Sequence, residues 1–292
     1  MHKIKIGEVF ASHGTDIGDE GVALFMGAGM LLIRGLLTAS ELEELREQTS
    51  ELIHRASSEK HIDTQFKLHK STGDTVPFRI EYIVEKSVAA QKLLAHPYIM
   101  SSMQRLMGSN ILPTWDSIVF KNPGKGAVIP WHRDQRMGKV SDNPIAVNAD
   151  FYLDESSLEN CLWAVPGSHY WTDQDADNFV SKRANVSFAL DGADPLPVKP
   201  GDVLLHNVFT LHGSPESELS TQRRVIYFEY RSIESEMKWG PHTREYCLLK
   251  QQVLDYCKHA REKTKRPAQQ INLRVTHEHY WRKESDFLGG HL

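Results

Sequence analysis

Apolar residues recur at helical spacing through the first third of the chain. One such stretch opens with Thr38–Glu41, a capping box in which the terminal side chains can each accept a hydrogen bond from the other residue's backbone amide. The leucines that follow predict a helix at about 39–57, behind a short buried strand at Met30–Arg34. Two more helices are predicted at Ser87–Ala95 and Pro97–Met107, the second beginning with the proline that a first helical turn tolerates.

From Ile111 onward the pattern changes to short β-rich runs separated by Gly, Pro, Asn and Asp. Runs of this length and spacing are typical of a β-sandwich, jelly roll or barrel. The predicted strands are 114–121, 127–133, 146–153, 161–165, 186–190, 196–199, 202–206, 208–213 and 223–231. Another helix is predicted at about 243–263.

These elements predict a fold that is mainly β with flanking helices. We expect a single domain over 1–292, with a helical region at 1–110, a β core at about 111–232, and a helix and tail at 233–292. Two long polar connections, Ser57–Pro77 and Trp171–Ala184, are candidates for lids, because long loops on a β scaffold usually border the site.

Composition narrows the class of protein without naming a function. Of the 292 residues, 40% are hydrophobic and 25% charged, which excludes a disordered, collagenous or coiled-coil chain. The net charge of −4 argues against a nucleic-acid partner, and glycines and Arg34 interrupt the longest apolar stretch, Val22–Leu37, so that no membrane span is expected. We expect no signal peptide. Three cysteines without a CxxC pair indicate a reduced, cytoplasmic setting, each being a small buried apolar residue.

Fifteen histidines draw attention to metal binding, and two of them have a suitable context. In an extended chain alternate residues share a face, so His132 and Asp134 point to the same side. A second run, Val203–Ser214, places His212 on one face with Ser214. Two imidazoles and one carboxylate that leave coordination positions open suit non-haem Fe(II).

Other histidines are weaker candidates. His277-Glu278-His279 is another same-face arrangement if extended, but no third ligand is evident. His169 and His206 are expected to neighbour the site without binding metal, with His206 on the face opposite His212.

An arginine that points into an apolar barrel is costly unless it binds a carboxylate. Arg223 and Arg224 open an alternating strand after His212, and either could anchor the distal carboxylate of 2-oxoglutarate. Periodicity leaves the choice open, although the more apolar face, with Ile226 and Phe228, favours Arg224.

Three segments in this order are similar to the phytanoyl-CoA dioxygenase family. They are PWHRDQ at 130–135, LD…ENCLWAVPGSH at 153–169 and PGDV…HGS at 200–214. The resemblance runs from about Phe120 to Tyr230 and also covers Met30–Leu45. It implies a double-stranded β-helix core, jelly-roll and cupin-like, that uses Fe(II), 2-oxoglutarate and O2.

The resemblance also implies roles for single residues. His132, Asp134 and His212 become the metal ligands. Arg223, eleven positions after the second histidine, becomes the anchor of 2-oxoglutarate, together with Ser214. Apart from the resemblance, Lys121 is a further candidate for binding the co-substrate.

Two positions depart from the family's pattern, and a third agrees with it. The glycine of the family's ENGC stretch is absent in Glu159-Asn160-Cys161, which predicts a shorter hairpin. Arg133 replaces a common glutamine and is expected to place a cation beside the metal. Asp134 agrees with hydroxylating members rather than with halogenases.

The substrate is less visible. A basic group around the metal motif indicates an anionic small molecule, such as a carboxylate, phosphonate or acyl-CoA, with a solvated basic loop as the alternative; it comprises Lys121, Lys125, Arg133, Arg136 and Lys139. The candidates for the pocket lining are Arg79, Gln135, Asn148, Tyr152 and Trp163, and core packing is an equal alternative for the last two.

We therefore predict a monomeric or homodimeric dioxygenase that hydroxylates a C–H bond of a small, anionic metabolite or natural-product intermediate while 2-oxoglutarate is decarboxylated to succinate. The alternative is a cupin-type metal-dependent enzyme or binding protein that does not use 2-oxoglutarate.

Overall fold

The computed structural model describes residues 4–58, 63–135, 146–183, 187–263 and 271–281. The strands are β1 (Gly7–Phe10), β2 (Met30–Arg34), β3 (Thr64–Leu68), β4 (Thr75–Glu81), β5 (Ile111–Lys121), β6 (Ile129–His132), β7 (Ala146–Tyr152), β8 (Leu162–Ala164), β9 (Asp194–Leu196), β10 (Val203–Asn207), β11 (His212–Ser214) and β12 (Arg223–Ser232). The helices are α1 (Gly18–Ala28), α2 (Ala39–Ser58), α3 (Ile83–Lys86), α4 (Val88–Leu94), α5 (Pro97–Met107), α6 (Asp173–Arg183), α7 (Ile233–Trp239) and α8 (Arg244–Glu262).

Two sheets form the jelly roll that the sequence predicts. The larger has eight strands in the order β1-β2-β10-β7-β12-β5-β4-β3, and the smaller has four in the order β6-β11-β8-β9. Neighbouring strands are antiparallel except for the parallel pair β1–β2. The metal motifs lie on the small sheet, whereas the candidate anchoring arginines lie on the large one.

The central strands of the large sheet are buried on both faces, yet their side chains alternate in character. On β7, Val147, Ala149 and Phe151 join the main apolar core together with residues of α2, α4, α5 and α8. The alternate residues Asn148 and Asp150 are polar and also buried. Because successive side chains point to opposite faces of a sheet, the helices cover the apolar face and the polar face is left for the site.

The main predicted helices are confirmed. The helix predicted at 39–57 begins with the capping box, in which the Glu41 amide donates to Thr38 Oγ1 at 3.3 Å and the Thr38 amide donates to Glu41 Oε2 at 3.0 Å. The helix predicted at Pro97–Met107 has those bounds, and α8 lies within the predicted 243–263. The three cysteines are buried and form no disulfide.

Several predictions for the connecting segments are wrong. The mainly helical region 1–110 also supplies four strands to the large sheet, β1 to β4, of which only β2 was predicted; β3 and β4 form an edge hairpin. That hairpin occupies much of the first lid candidate, Ser57–Pro77. Helix α6 occupies most of the second, Trp171–Ala184, whose last residue lies outside the described residues. Residues 187–190 form no strand, and 208–211 form a turn rather than the start of one. None of the described helices is long and apolar enough to cross a membrane.

Candidate metal centre and its cavity

His132, Asp134 and His212 meet at one point between the two sheets. His132 ends β6 and lies directly opposite His212, which begins β11, and their ring centroids are 4.3 Å apart. Asp134 follows in the turn after β6, with Oδ1 3.5 Å from His132 Nε2 and 3.9 Å from His212 Nε2. Within the described residues they are the only group of three such side chains whose ligand atoms all lie within 4.8 Å of one another.

Backbone carbonyls set the orientation of both imidazoles. His132 Nδ1 lies 2.8 Å from the carbonyl oxygen of Pro130, and His212 Nδ1 lies 2.8 Å from that of Thr210. A proton on each Nδ1 satisfies these contacts and leaves the Nε2 lone pair for a metal. Burial, followed by the charge of His132, lowers the pKa of His212 to about 3, so its ring is neutral at physiological pH, the form that binds a metal.

A polar floor on the large sheet holds the third ligand. Asp134 Oδ2 lies 2.8 Å from His206 Nε2 and accepts from Asn148 Nδ2 at 2.8 Å, which leaves Oδ1 facing the imidazoles. His206 Nδ1 lies 2.8 Å from Asp150 Oδ2. Burial lowers the pKa of His206, but the charge of Asp150 and the hydrogen bonds to both carboxylates raise it to about 10, so His206 bridges the two carboxylates as a cation.

The expectation that His206 faces away from His212 is wrong, since their ring centroids are 4.8 Å apart. The turn at 208–211 carries the chain from the large sheet to the small one, so β10 and β11 are not one extended strand. His206 therefore contacts a metal ligand from the opposite sheet. His169 lies elsewhere, with Nε2 3.1 Å from the Met26 carbonyl oxygen.

The metal group opens into a cavity of about 480 Å³, large enough for a co-substrate and a small molecule. Arg79, Gln135 and Asn148 line it, as predicted. Tyr152 and Trp163 do not belong to its lining. Tyr152 is fully buried beneath the Arg223 guanidinium, and Trp163 packs in the apolar cluster around Trp131.

At one end of this cavity, which we call the inner end, lie Lys121, Ser214 and Arg223. Their exposed fractions are 4%, 1% and 3%, and Lys121 lies opposite Arg223 in the β5–β12 ladder. Lys121 Nζ donates to the carbonyl oxygens of Ala127 at 2.5 Å and Pro215 at 2.7 Å. Burial and the Arg223 charge hold the pKa of Lys121 well below its usual value.

The inner end contains positive charge without a matching carboxylate. Arg223 Nη1 donates to the Asn160 carbonyl oxygen at 2.7 Å, but its Nε and the Ser214 hydroxyl have no hydrogen-bond partner in the described part of the chain. Among the residues that the structure describes, no carboxylate lies within 4.0 Å of either cation. Two buried cations and two unpaired polar atoms fit one carboxylate of a dicarboxylic acid, such as 2-oxoglutarate. The donors on this wall therefore suit the co-substrate, and the His-Asp-His group suits Fe(II).

Arg224 points to the opposite face of the sheet. Its Nε and Nη2 donate to the two oxygens of Asp154, each at 2.8 Å, and Nη1 donates to Ser50 Oγ at 2.7 Å. It ties helix α2 to the β core. The alternation along β12 correctly separates the two faces of this strand. The apolar face, which includes Arg224, packs against helices and does not line the cavity.

Two described members of the basic group expected around the metal bind elsewhere. Arg133 turns away from the metal and donates to the carbonyl oxygens of Ser168 at 2.6 Å and Trp171 at 3.0 Å, and it pairs with Asp173 at 3.2 Å. Lys125 pairs with Asp74 at 2.7 Å. Arg136 and Lys139 lie outside the described residues, as do the side chains of His277 and Glu278 in the alternative metal pair. Among the described residues of the basic group, only Lys121 lines the cavity.

The other end of the cavity, the outer end, consists of residues that sequence reasoning missed, apart from Arg79. They come from β4 of the edge hairpin, from β5 and β12, and from the segment after α8: Arg79, Trp115, Glu229 and Trp281. Lys67, which was also missed, lines the cavity on the side of the inner end, because the tip of its hairpin donates to Glu216. The alternation on β12 could have indicated Glu229. Arg223, Tyr227 and Glu229 are separated by even numbers of residues, so their side chains lie on the same face of the strand, the face towards the cavity.

Comparisons with known proteins agree with this geometry. The family model for phytanoyl-CoA dioxygenase matches residues 25–225. The 2-aminoethylphosphonate dioxygenase of an uncultured bacterium is 24% identical over 246 residues, covering 83% of this chain and 87% of that protein. The methylphosphonate hydroxylase of Gimesia maris is 24% identical over 220 residues, covering 75% of this chain and 82% of that protein.

Solved structures share the fold. AviO1 from Streptomyces viridochromogenes has a TM-score of 0.61 at 27% identity, covering 73% of this chain and 94% of that chain. EctD from S. alaskensis, solved with 2-oxoglutarate and 5-hydroxyectoine, has a TM-score of 0.61 at 20% identity, covering 75% of this chain and 77% of that chain. Since the family model matches more than half of its residues, the chain belongs to the phytanoyl-CoA dioxygenase family and is a non-haem iron dioxygenase that uses 2-oxoglutarate.

Proposed function

We propose that this enzyme hydroxylates a C–H bond of a small, anionic metabolite or natural-product intermediate. The observation that carries the proposal is a three-ligand group that opens into one cavity with two buried cations lacking a carboxylate partner. The first feature suits Fe(II) with coordination positions left for other groups, and the second suits 2-oxoglutarate.

Each region of the site has a distinct task in this proposal. His132, Asp134 and His212 would hold the iron, which with 2-oxoglutarate and O2 supplies the oxidising chemistry as 2-oxoglutarate loses CO2 to give succinate. Arg223 and Lys121 would bind the distal carboxylate, with the Ser214 hydroxyl as a further donor. Because these groups are buried, the co-substrate would be fixed in one orientation and shielded from water. Asp134 fills the ligand position that related halogenases leave to chloride, which favours hydroxylation.

The nature of the substrate is supported by its size and charge. A cavity of about 480 Å³ that also holds 2-oxoglutarate leaves room for a small molecule. Two relatives are named for small phosphonates, a methylphosphonate hydroxylase and a 2-aminoethylphosphonate dioxygenase. With the inner end assigned to 2-oxoglutarate, Lys67 and Arg79 remain as cations on the cavity wall. An anionic substrate matches that charge.

The test is oxygen-dependent turnover with a metabolite library. Protein loaded with Fe(II) and 2-oxoglutarate under argon is exposed to O2 with each compound, and we expect one compound to gain the mass of one oxygen as succinate forms. Asp134→Ala should abolish both products, whereas Asp255→Ala, an exposed carboxylate on α8, should not. Full turnover by the Asp134 variant would overturn the proposal. Retained iron without succinate would favour a cupin-type activity instead.

We also propose a reduced, cytoplasmic setting for this activity. It is supported by the three cysteines, which are buried and form no disulfide.

A further inference from the structure

The tip of the edge hairpin is held by a carboxylate from a distant part of the chain. Glu216 follows β11, and its side chain accepts from the backbone amides of Lys70 at 2.7 Å and Ser71 at 3.1 Å. Its Oε1 also accepts from Ser71 Oγ at 2.6 Å and lies 4.0 Å from Nε2 of His69, a fully buried residue. Three donors from two successive residues thus converge on Glu216, and we call this contact the clasp.

The segment that carries the clasp also forms part of the inner end. Ser214, two residues before Glu216, lines the cavity, and the carbonyl oxygen of Pro215 accepts from Lys121 Nζ at 2.7 Å. On the other side of Glu216, Ser217 exchanges two backbone hydrogen bonds of 2.8 Å with the loop after β5. Because this short segment is fixed at both ends, Glu216 cannot shift without disturbing the groups that face the cavity.

The hairpin in turn forms one wall of the cavity. Lys67, Phe78 and Arg79 line it. Phe78 packs in an apolar cluster with Ala127, whose carbonyl oxygen is the second acceptor of Lys121 Nζ. Strand β4 pairs with β5 over three residues at its carboxyl-terminal end, remote from the hairpin tip. The position of the tip therefore depends on side-chain contacts, and an element of this kind opens more readily than a central strand.

A second charged contact at the tip is weaker than the clasp. Asp74 pairs with Lys125 at 2.7 Å, but their side chains are 48% and 50% exposed. An ion pair in this setting contributes little, because water screens it. Loss of Lys125 would leave Asp74 in contact with water, whereas loss of Glu216 would deprive two backbone amides of their acceptor. The clasp is thus the contact on which docking of the tip depends more strongly.

From this arrangement we infer that Glu216 couples binding of 2-oxoglutarate at the inner end to docking of the edge hairpin. The inference rests on the proposed function, which assigns the inner end to the distal carboxylate. A carboxylate bound there would hold Ser214 and Lys121 in place and so fix Glu216 where it meets the tip. Since coupling between two equilibria is reciprocal, the docked tip would raise the affinity for 2-oxoglutarate by the same factor. Glu216 is in this sense a positioning residue, and the co-substrate would order the wall that carries Lys67 and Arg79.

The test is hydrogen exchange in the wild-type protein, loaded with Fe(II) under argon. The amides of Lys70 and Ser71 donate to Glu216, so they exchange when the tip opens. Saturation with 2-oxoglutarate should slow their exchange by about fivefold or more, the lower range of coupling between two sites. The matched probe is 2-oxopentanoate, which has a methyl group in place of the distal carboxylate. At saturation it should leave the exchange rate unchanged.

Variants assign the coupling to the clasp. Glu216→Ala should weaken 2-oxoglutarate binding by about fivefold or more in calorimetry but leave the affinity for 2-oxopentanoate unchanged, a difference that a general loss of stability would not produce. Ser71→Ala removes one of the three donors and should have a smaller effect in the same direction. Glu218→Ala, which changes an exposed carboxylate two residues further along, and Lys125→Met are the controls and should alter neither affinity.

Three results would overturn the inference. One is equal exchange of the Lys70 and Ser71 amides with and without saturating 2-oxoglutarate, which needs no variant. Another is a folded Glu216→Ala protein that binds 2-oxoglutarate as tightly as the wild type. The third is equal slowing by 2-oxopentanoate, which would place the origin of the effect at the metal group. Failure of the proposed function gives a different result: 2-oxopentanoate would bind as tightly as 2-oxoglutarate, because the inner end would hold no carboxylate.

Discussion

The two ends of the cavity are built from different regions of the molecule. At the inner end, Lys121 and Arg223 lie on β5 and β12, well inside the large sheet, and are almost fully buried. At the outer end, Arg79 lies on β4, one strand from the edge of the same sheet, and Trp281 comes from the segment after α8 and is 55% exposed. The end proposed for the invariant co-substrate is therefore rigid and enclosed, and the end proposed for the substrate is assembled from edges.

This difference has a physical basis. A side chain in the middle of a sheet is held by neighbours on both sides, so its position is fixed by the whole fold. An edge hairpin and a connecting segment can vary without disturbing the core, and binding residues commonly lie on such segments. One jelly roll can thus keep the same oxidising chemistry while its substrate changes.

The largest expected effect separates the neighbouring arginines on β12. Arg223→Ala should weaken 2-oxoglutarate binding by about 100-fold or more, since it removes a buried charged partner. Arg224→Ala should leave that affinity within a few-fold but lower the melting temperature, because it leaves Asp154 without its bidentate partner. Calorimetry and thermal melting measure the two effects. The reverse result would place the co-substrate on the other face of the sheet.

The next effect concerns the floor between the two ends. His206→Gln can donate to one of the two carboxylates that His206 bridges, Asp134 and Asp150, but not to both. Residues that orient metal ligands usually contribute about 10- to 100-fold to metal affinity, so we expect a loss in that range. Anaerobic Fe(II) titration measures it. Changing the exposed His54 on α2 to Gln is the control, and equal Fe(II) affinity in both variants would contradict the positioning role.

A smaller effect is expected from the second cation at the inner end. Lys121→Met should weaken 2-oxoglutarate binding by about tenfold, because an ammonium provides a single point charge where Arg223 provides a fork of donors. Lys125→Met removes a half-exposed lysine that pairs with Asp74, and it should not alter the affinity. If the two lysine variants have the same affinity as the wild type, Lys121 is structural and Arg223 alone anchors the co-substrate.

The inner end and the metal group were predictable because their residues lie at fixed spacing on strands. His132 and Asp134 are two apart, and Ser214 is two after His212, so each pair faces one way in extended backbone. The orientation of His206 was not predictable, because the chain changes sheets at 208–211 and alternation cannot be continued through a turn. For the same reason the apolar face of β12 could not be assigned to helices or to the cavity.

The edge hairpin, which forms one wall of the cavity, had no comparable signal. Lys67 lies on a strand of mixed polarity, Thr-Gln-Phe-Lys-Leu, within a polar stretch that favours a loop. Its contact with the cavity depends on a hairpin docking beside β5, and that is decided by pairings between residues distant in sequence. Local propensity does not contain such information. The predicted fold was therefore more complete at the centre of the large sheet than at its edge.

The smallest expected effect is a difference in pH dependence between the two lysines that line the cavity, Lys121 and Lys67. Burial lowers the pKa of both lysines, but that of Lys121 lies well below the ordinary value because it is buried far more deeply. A lysine loses its charge as the pH rises through its pKa, and a neutral amine no longer attracts a carboxylate. Both affinities should thus fall on the alkaline side, with 2-oxoglutarate weakening at a lower pH than an anionic probe such as propylphosphonate. Calorimetry from neutral to alkaline pH measures the order, and Lys121→Met should remove the earlier decline. If the probe weakens first, Lys67 is the more strongly perturbed of the two lysines, and the deeper burial of Lys121 does not decide which affinity is lost first.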